Sequence, residues 1–259
     1  MLTVGIIGPV GLEVSVSKPD VVRSRRDLLV DAGRLLMPSI VAAAIVGFVI
    51  AGVGGRLAML ILRLTSGAHV IGLESDDGFT IGRVTPATFA LVLALTVGAT
   101  LILGPLYAVA RPWVPSRWRV PVFALFFGVV GGALLVHADG IDFTALSPRA
   151  LAVGLFIAIP AAFGGALEPL LTLAERTTRR LPERLLLAVP FLALVAVLAI
   201  GPPGIVIAVF SLGAVALGQG ERLAGAMDSR PVAWAGRLGM VTLAGVASVD
   251  LARDLGALF

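Results

Sequence analysis

Seven apolar stretches divide the chain: Pro38–Leu62, Pro86–Val109, Val120–Val136, Pro148–Leu173, Leu185–Ile200, Pro203–Leu217 and Pro231–Val249. A helix of about 20 apolar residues crosses a ~30 Å hydrocarbon core, where each backbone N–H and C=O must find its partner inside the protein. Runs of this length and number dictate a helical bundle in lipid. A water-soluble core could not absorb them: 58% of the residues are hydrophobic and 14% charged, where soluble domains carry roughly 25% charge. With a mean hydropathy of +1.02 and 259 residues, the chain has no room for a separate soluble domain of ordinary size.

The expected fold class is therefore all-α membrane protein, a bundle of about seven transmembrane helices. Residues 1–37 are read as a cytoplasmic N-terminal arm and 38–259 as the bundle. Within the arm, Asp20–Leu36 spaces Val21/Val22, Leu28/Leu29 and Leu35/Leu36 among Arg23, Arg25, Arg26 and Arg34. That pattern predicts an amphipathic helix along the inner leaflet, its arginines toward anionic headgroups. Met1–Val16 has neither a basic n-region nor an apolar h-region, so no cleavable signal is expected and the first span serves for insertion.

Thr85-Pro86 and Ser147-Pro148 each predict a hydroxyl N-cap followed by proline at the first helical position. Gly201-Pro202-Pro203-Gly204 predicts a tight reversal that makes the fifth and sixth stretches a helical hairpin. Between the first two spans, two β-prone runs flank Asp77-Gly78, the signal of a small extracytoplasmic β-hairpin.

Basic residues fall unequally on the two sides. Fourteen lie on the side of the N-terminus, among them Arg111, Arg117, Arg119, Arg176 and Arg179, against four (Arg63, Arg83, Arg149, Arg253) on the other. The positive-inside rule then puts the N-terminus in the cytoplasm of a multi-pass protein of the plasma membrane, a bacterial inner membrane given the arginine-rich, GC-type composition. The net charge of +4 is accounted for by this orientation signal, so the bilayer is the expected partner and nucleic acid is not.

Small residues recur at every fourth position: Ala43, Gly47, Ala51 and Gly55; Gly128 and Gly132; Gly154, Ala158, Ala162 and Ala166. Such faces predict close helix packing. Gly54-Gly55-Arg-Leu and Gly164-Gly165-Ala-Leu raise an inverted repeat, the architecture of many transporters.

Cysteine is absent, which removes disulfides, thiolate metal sites and cysteine nucleophiles. A retinal Schiff base needs a lysine in the last helix, and the single lysine is Lys18. No nucleophile, base and orienting group fall together within the spans, so no cofactor is expected and an enzyme is the less favoured reading. The remaining candidates are charges. Glu74, Asp76 and Asp77 in the first outer loop, with Asp139 and Asp142 in the next, offer five oxygen donors near one face for a divalent cation. Arg56 and Arg63 share a helix face and suit an anion. His137 sits at the outer end of the third span, with His69 as the one other histidine. Glu168 and Arg237, at equal depth on antiparallel spans, are expected to pair inside the membrane. Asp250 and Asp254 share the i, i+4 spacing of some metal-dependent lipid enzymes.

The strings Glu74-Ser-Asp-Asp-Gly-Phe-Thr-Ile-Gly-Arg-Val-Thr85 and Asp142-Phe-Thr-Ala-Leu-Ser-Pro148 resemble those of uncharacterised polytopic membrane proteins of GC-rich bacteria. The resemblance spans about Arg56 to Gly165 and implies a membrane bundle without implying an activity. Three functions stand as expectations: a non-enzymatic component recognising a partner or small ligand at its outer face, a small permease using Arg56, Glu168 and Arg237, or a metal-dependent lipid-modifying enzyme using the outer carboxylates.

Overall fold

The apolar runs form helix wherever the structure, a computed structural model, describes them: residues 25–73, 81, 86–189 and 230–259. Helices α1 (Arg25–Val46) and α2 (Gly55–Ser66) join through a π-helical stretch, Gly47–Gly54, into one rod. A second rod is built alike from α3 (Pro86–Gly98), a π-helical stretch at Ala99–Leu103 and α4 (Gly104–Ala110), and it ends in a 3-10 turn at Arg111–Trp113. Then follow α5 (Arg119–Leu135), the single turn α6 (Ile141–Thr144), α7 (Arg149–Thr178), α8 (183–189) and α9 (Arg230–Leu258).

Five of these segments are long and apolar enough to cross a membrane: Leu29–Ser66, Thr88–Trp113, Ser116–Leu135, Arg149–Thr178 and Arg230–Leu258. They coincide with the first four expected spans and the seventh. The fifth stretch is described only over its first turns, in α8, and the sixth lies outside the described residues, as do Glu74–Thr80 and 82–85 with the turn of the expected hairpin. Among the described residues no strand is formed.

The bundle has two distinct ends. Arg34, Arg111, Arg119 and Arg179 gather at one, the arginine end. At the other, the serine end, Ser66 Oγ accepts the Ser147 N–H at 2.7 Å and its hydroxyl lies 2.7 Å from the Leu62 carbonyl it donates to. Helix α7 finishes at the arginine end. Helix α9 starts there, Gly236 against Trp113, and runs to the serine end, where Arg149 Nη1 donates to the Leu258 carbonyl at 3.3 Å.

Glycine lets the helices touch. A Cβ on Gly164 of α7 would lie 2.3 Å from the Phe123 carbonyl oxygen of α5, and one on Gly131 of α5 would lie 2.5 Å from Pro160 of α7. A Cβ on Gly47 would lie 2.6 Å from that of Ala99, so the two rods meet where both are π-helical. Such approach replaces side-chain volume with backbone contact, the usual way helices pack without a hydrophobic driving force between them.

Four expectations change. The arm and the first span are one helix, for α1 passes through the buried Pro38 without a break, and the described arginine-bearing turns continue the rod. Ser147 caps nothing: α7 starts at Arg149 behind an extended Pro148, joined by a cis peptide, and the Ser147 N–H is given to Ser66. The small-residue ladder of α7 faces away from α5, leaving Gly154, Ala158 and Ala162 exposed among the described residues. Ala161 and Gly164, on the adjoining face, make the contact instead, opposite Gly128 and Phe123. Gly54 and Gly55 meet no other helix, so they do not repeat the role of Gly164.

Candidate functional site

At the arginine end, four helix segments converge on a carboxylate. Tyr107 and Arg111 stand one turn apart at the end of the second rod, and Glu168 and Glu175 stand two turns apart on α7, so each pair shares a helix face. Arg111 grips Glu168 in a fork, Nε to Oε2 at 2.9 Å and Nη2 to Oε1 at 2.9 Å, and spends its third nitrogen on Glu175 at 2.7 Å. Arg119, the first residue of α5, adds a bond from Nη1 to Glu168 Oε1 at 3.0 Å and holds the Val114 carbonyl at 3.1 Å through Nε. The chain's single tyrosine, Tyr107, donates its hydroxyl to Glu168 Oε2.

Tyr107 is 1% exposed and its ring packs 4.5 Å from that of Phe123. The Glu168 side chain is 15% exposed. A carboxylate this deep carries a desolvation cost that only matched, geometrically good partners offset, and the bidentate arginine fork is the strongest such partner. Bonds to both oxygens of Glu168 lock α4, α5 and α7 together.

Beside this cluster opens a cavity of about 610 Å³. Its walls carry Arg34 of α1, Arg111, Arg119 and Arg179 against one carboxylate, Glu175. Its floor is Ser39, Ala108 and Leu171, all buried, with Leu186 of α8 at the side. Helix α8 is held tightly there: a Cβ on Gly33 of α1 would sit 2.1 Å from the Leu186 carbonyl oxygen. Arg111 and Arg119 are consumed by the cluster. Arg179 has no ion pair among the described residues and Arg34 pairs with Asp31 at 3.5 Å, so both guanidinium groups lie outside the Glu168 cluster.

The residues singled out from sequence are scattered. Glu168 and Arg237 do not pair: Arg237 Nε donates to the Trp113 carbonyl at 2.6 Å and its guanidinium lies 5.2 Å from the Trp234 ring. Both still occupy the arginine end, since Trp113 is two residues beyond Arg111. Depth was readable, whereas the face that each helix turns to its neighbours was not. Arg56 donates to Thr88 Oγ1 at 3.1 Å, and Arg63, on the same helix face, is half-buried without an ion pair among the described residues. Arg56, Glu168 and Arg237 therefore meet three different sets of partners among the described residues.

His69, His137 and Asp139 are exposed, whereas Asp142 in the first turn of α6 is 3% exposed, so the two described carboxylates of the outer group do not share a surface. Glu74, Asp76 and Asp77 lie outside the described residues. Among the described residues, no three His, Asp or Glu side chains are placed to hold a metal ion. Asp254 accepts the Ala138 N–H at 3.3 Å and Asp250 faces Arg253 at 3.4 Å, both ties at the serine end.

Tyr107, Arg111, Arg119 and Glu175 were missed as site residues, the arginines because they served as orientation charges. The signal available was spacing: the one tyrosine four residues before Arg111, and Glu168 seven before Glu175 on an otherwise apolar span. Compared with known proteins, the chain matches no family model, no curated protein and no solved structure.

Proposed function

We propose that the protein is a non-enzymatic, multi-pass component of the plasma membrane that binds a small anionic ligand in the cavity at its arginine end, which faces the cytoplasm. The reading is supported by the lining of the cavity, where Arg34 and Arg179 lie outside the Glu168 cluster and the lining's one carboxylate, Glu175, is already bonded to Arg111. A volume of about 610 Å³ falls within the ~300–1,000 Å³ usual for small-molecule sites. Purified protein should melt at a higher temperature as a phosphate-, sulfate- or carboxylate-bearing ligand is titrated, saturably, because a ligand that binds only the folded state stabilises it. Loss of that shift in Arg34→Gln/Arg179→Gln would tie it to the cavity; no saturable shift with any anion would refute the reading.

Seven spans are the best count. Helix α7 ends and α9 begins at the same end of the bundle, which supports an even number of crossings between them, and Leu185–Ile200 and Pro203–Leu217 supply two. The cytoplasmic assignment rests on the arginine imbalance. Trp113, Trp118 and Trp234, all the tryptophans of the chain, also lie at this end, where amphipathic rings favour the headgroup level. A cysteine at the exposed His137 should react with an impermeant maleimide in intact cells and one at the exposed Ser116 should not; the reverse pattern would invert the topology. The outer loop closes at its base through Gly72 N–H to the Ile81 carbonyl at 3.1 Å and Ile81 N–H to the Leu73 carbonyl at 2.8 Å, which supports a short hairpin there. The likeness to uncharacterised polytopic membrane proteins agrees with this frame.

A further inference from the structure

The arginine cavity is amphipathic, and that bears on what fills it. Its cationic wall (Arg34, Arg179) stands over an apolar floor of Ala108 and Leu171, with Pro38 and Leu186 beside them. Inorganic phosphate would satisfy the wall and leave the rest of a ~610 Å³ cavity without a partner. Leu35 lines the same cavity while 59% exposed, directly beside Arg34, so the apolar lining continues onto the outer surface of α1. The cavity's depth matches too: Arg111 of its wall is two residues from Trp113, and Trp118 and Trp234, at the same end, are both more than half exposed. Exposed tryptophans mark the headgroup level of a bilayer.

We infer that the cavity takes the phosphate headgroup of an anionic membrane lipid, with the start of an acyl chain over Leu35 and the apolar floor. This rests on the reading of the cavity as an anion site and narrows it to one source of anion. The phosphate oxygens accept from Arg34 and Arg179, whose planar forks suit phosphate bidentately. Arg111 and Arg119, already committed to Glu168 and Glu175, shape the wall and leave the cavity's net positive charge to Arg34 and Arg179. Glu175 on the wall disfavours ligands of higher negative charge, which suits a monoanionic phosphodiester better than a free phosphate dianion.

The experiment is a thermal titration of the full-length protein in a neutral detergent with four probes: dioctanoyl phosphatidylglycerol, dioctanoyl phosphatidylcholine, glycerol 3-phosphate and inorganic phosphate. The phosphatidylglycerol should give a half-maximal shift at a concentration about tenfold or more below each of the other three, since it alone offers both net negative charge and an apolar chain. Arg34→Gln/Arg179→Gln should raise that concentration about tenfold without lowering the ligand-free melting temperature, both side chains being exposed. If that double variant does not fold, Leu35→Gln serves: it should weaken phosphatidylglycerol and leave inorganic phosphate unchanged. Equal potency of phosphate and phosphatidylglycerol would overturn the lipid inference while sparing the anion site. Equal potency of the choline lipid, or indifference of phosphatidylglycerol to the variants, would overturn it as partitioning elsewhere. Silence from all four probes would overturn the lipid inference, and silence from the wider anion panel as well would remove the anion site itself.

Discussion

The two ends of the bundle are held by different chemistry. At the serine end the ties are neutral or single: Ser66 to Ser147, the Ala138 N–H to Asp254, Arg149 to the Leu258 carbonyl. Around them Leu62, Val70, Val136, Phe143 and Leu146 are all but inaccessible, so the described part of this end is closely packed. At the arginine end one carboxylate collects two guanidinium groups and a phenol, and beside it the packing gives way to a charged cavity. A closed end needs no function to explain it. Charges that have been desolvated, cross-linked and then placed around an opening cost folding energy that a sealed apolar end would not. The contrast sets a charged cavity at one end against packed apolar side chains at the other.

Substitutions can break that contrast, the largest effect first. Glu168→Gln removes the charge that Arg111 and Arg119 share, leaving two partly buried cations opposed only by Glu175. The loss should approach ~3 kcal/mol, measured by chemical or thermal unfolding in detergent. A loss near zero would mean the network is solvated and not structural. Gly164→Val, which forces a side chain against the Phe123 carbonyl, should cost about 1–3 kcal/mol by overpacking, while Gly154→Val, with nothing within 4 Å, should be close to neutral. Equal effects from the two would mean that α7 is rotated from the orientation described. Ser66→Ala strands the Ser147 N–H at the sealed end and should cost about 1–2 kcal/mol without changing ligand binding. Smallest for stability is Arg179→Gln, expected within about 0.5 kcal/mol of the parent because its fork has no ion pair among the described residues. It should nonetheless weaken anion binding, which separates the site from the scaffold.

Much of the fold was legible because hydropathy reports the solvent. Pro86–Val109 became Thr88–Trp113 and Pro231–Val249 became Arg230–Leu258. The ends fell short where arginines interrupt the apolar pattern although the helix continues, as at Arg34 in α1 and Arg111 beyond α4. Neither π-helical stretch was legible: Gly47–Gly54 and Ala99–Leu103 arise from the mutual approach of two rods, and that approach has no local period. The site was half legible. Glu168 and Arg237 lie at one end of the bundle with different partners, and in a helix that is apolar on most sides nothing in the pattern states which face meets which neighbour. Arg111 and Arg119 looked like orientation signals because a positive-inside charge and a site charge occupy the same depth.

The floor of the arginine-end cavity reports directly on whether that cavity is accessible and positively charged. Ser39 lines the cavity at 2% exposure in a chain without cysteine, so Ser39→Cys is a near-isosteric reporter. An anionic methanethiosulfonate should modify this thiol about tenfold faster or more than a cationic one of similar size, because the arginines concentrate anions at the floor, and phosphatidylglycerol should slow the reaction. Equal rates for the two reagents, or faster modification by the cation, would contradict a positively charged cavity.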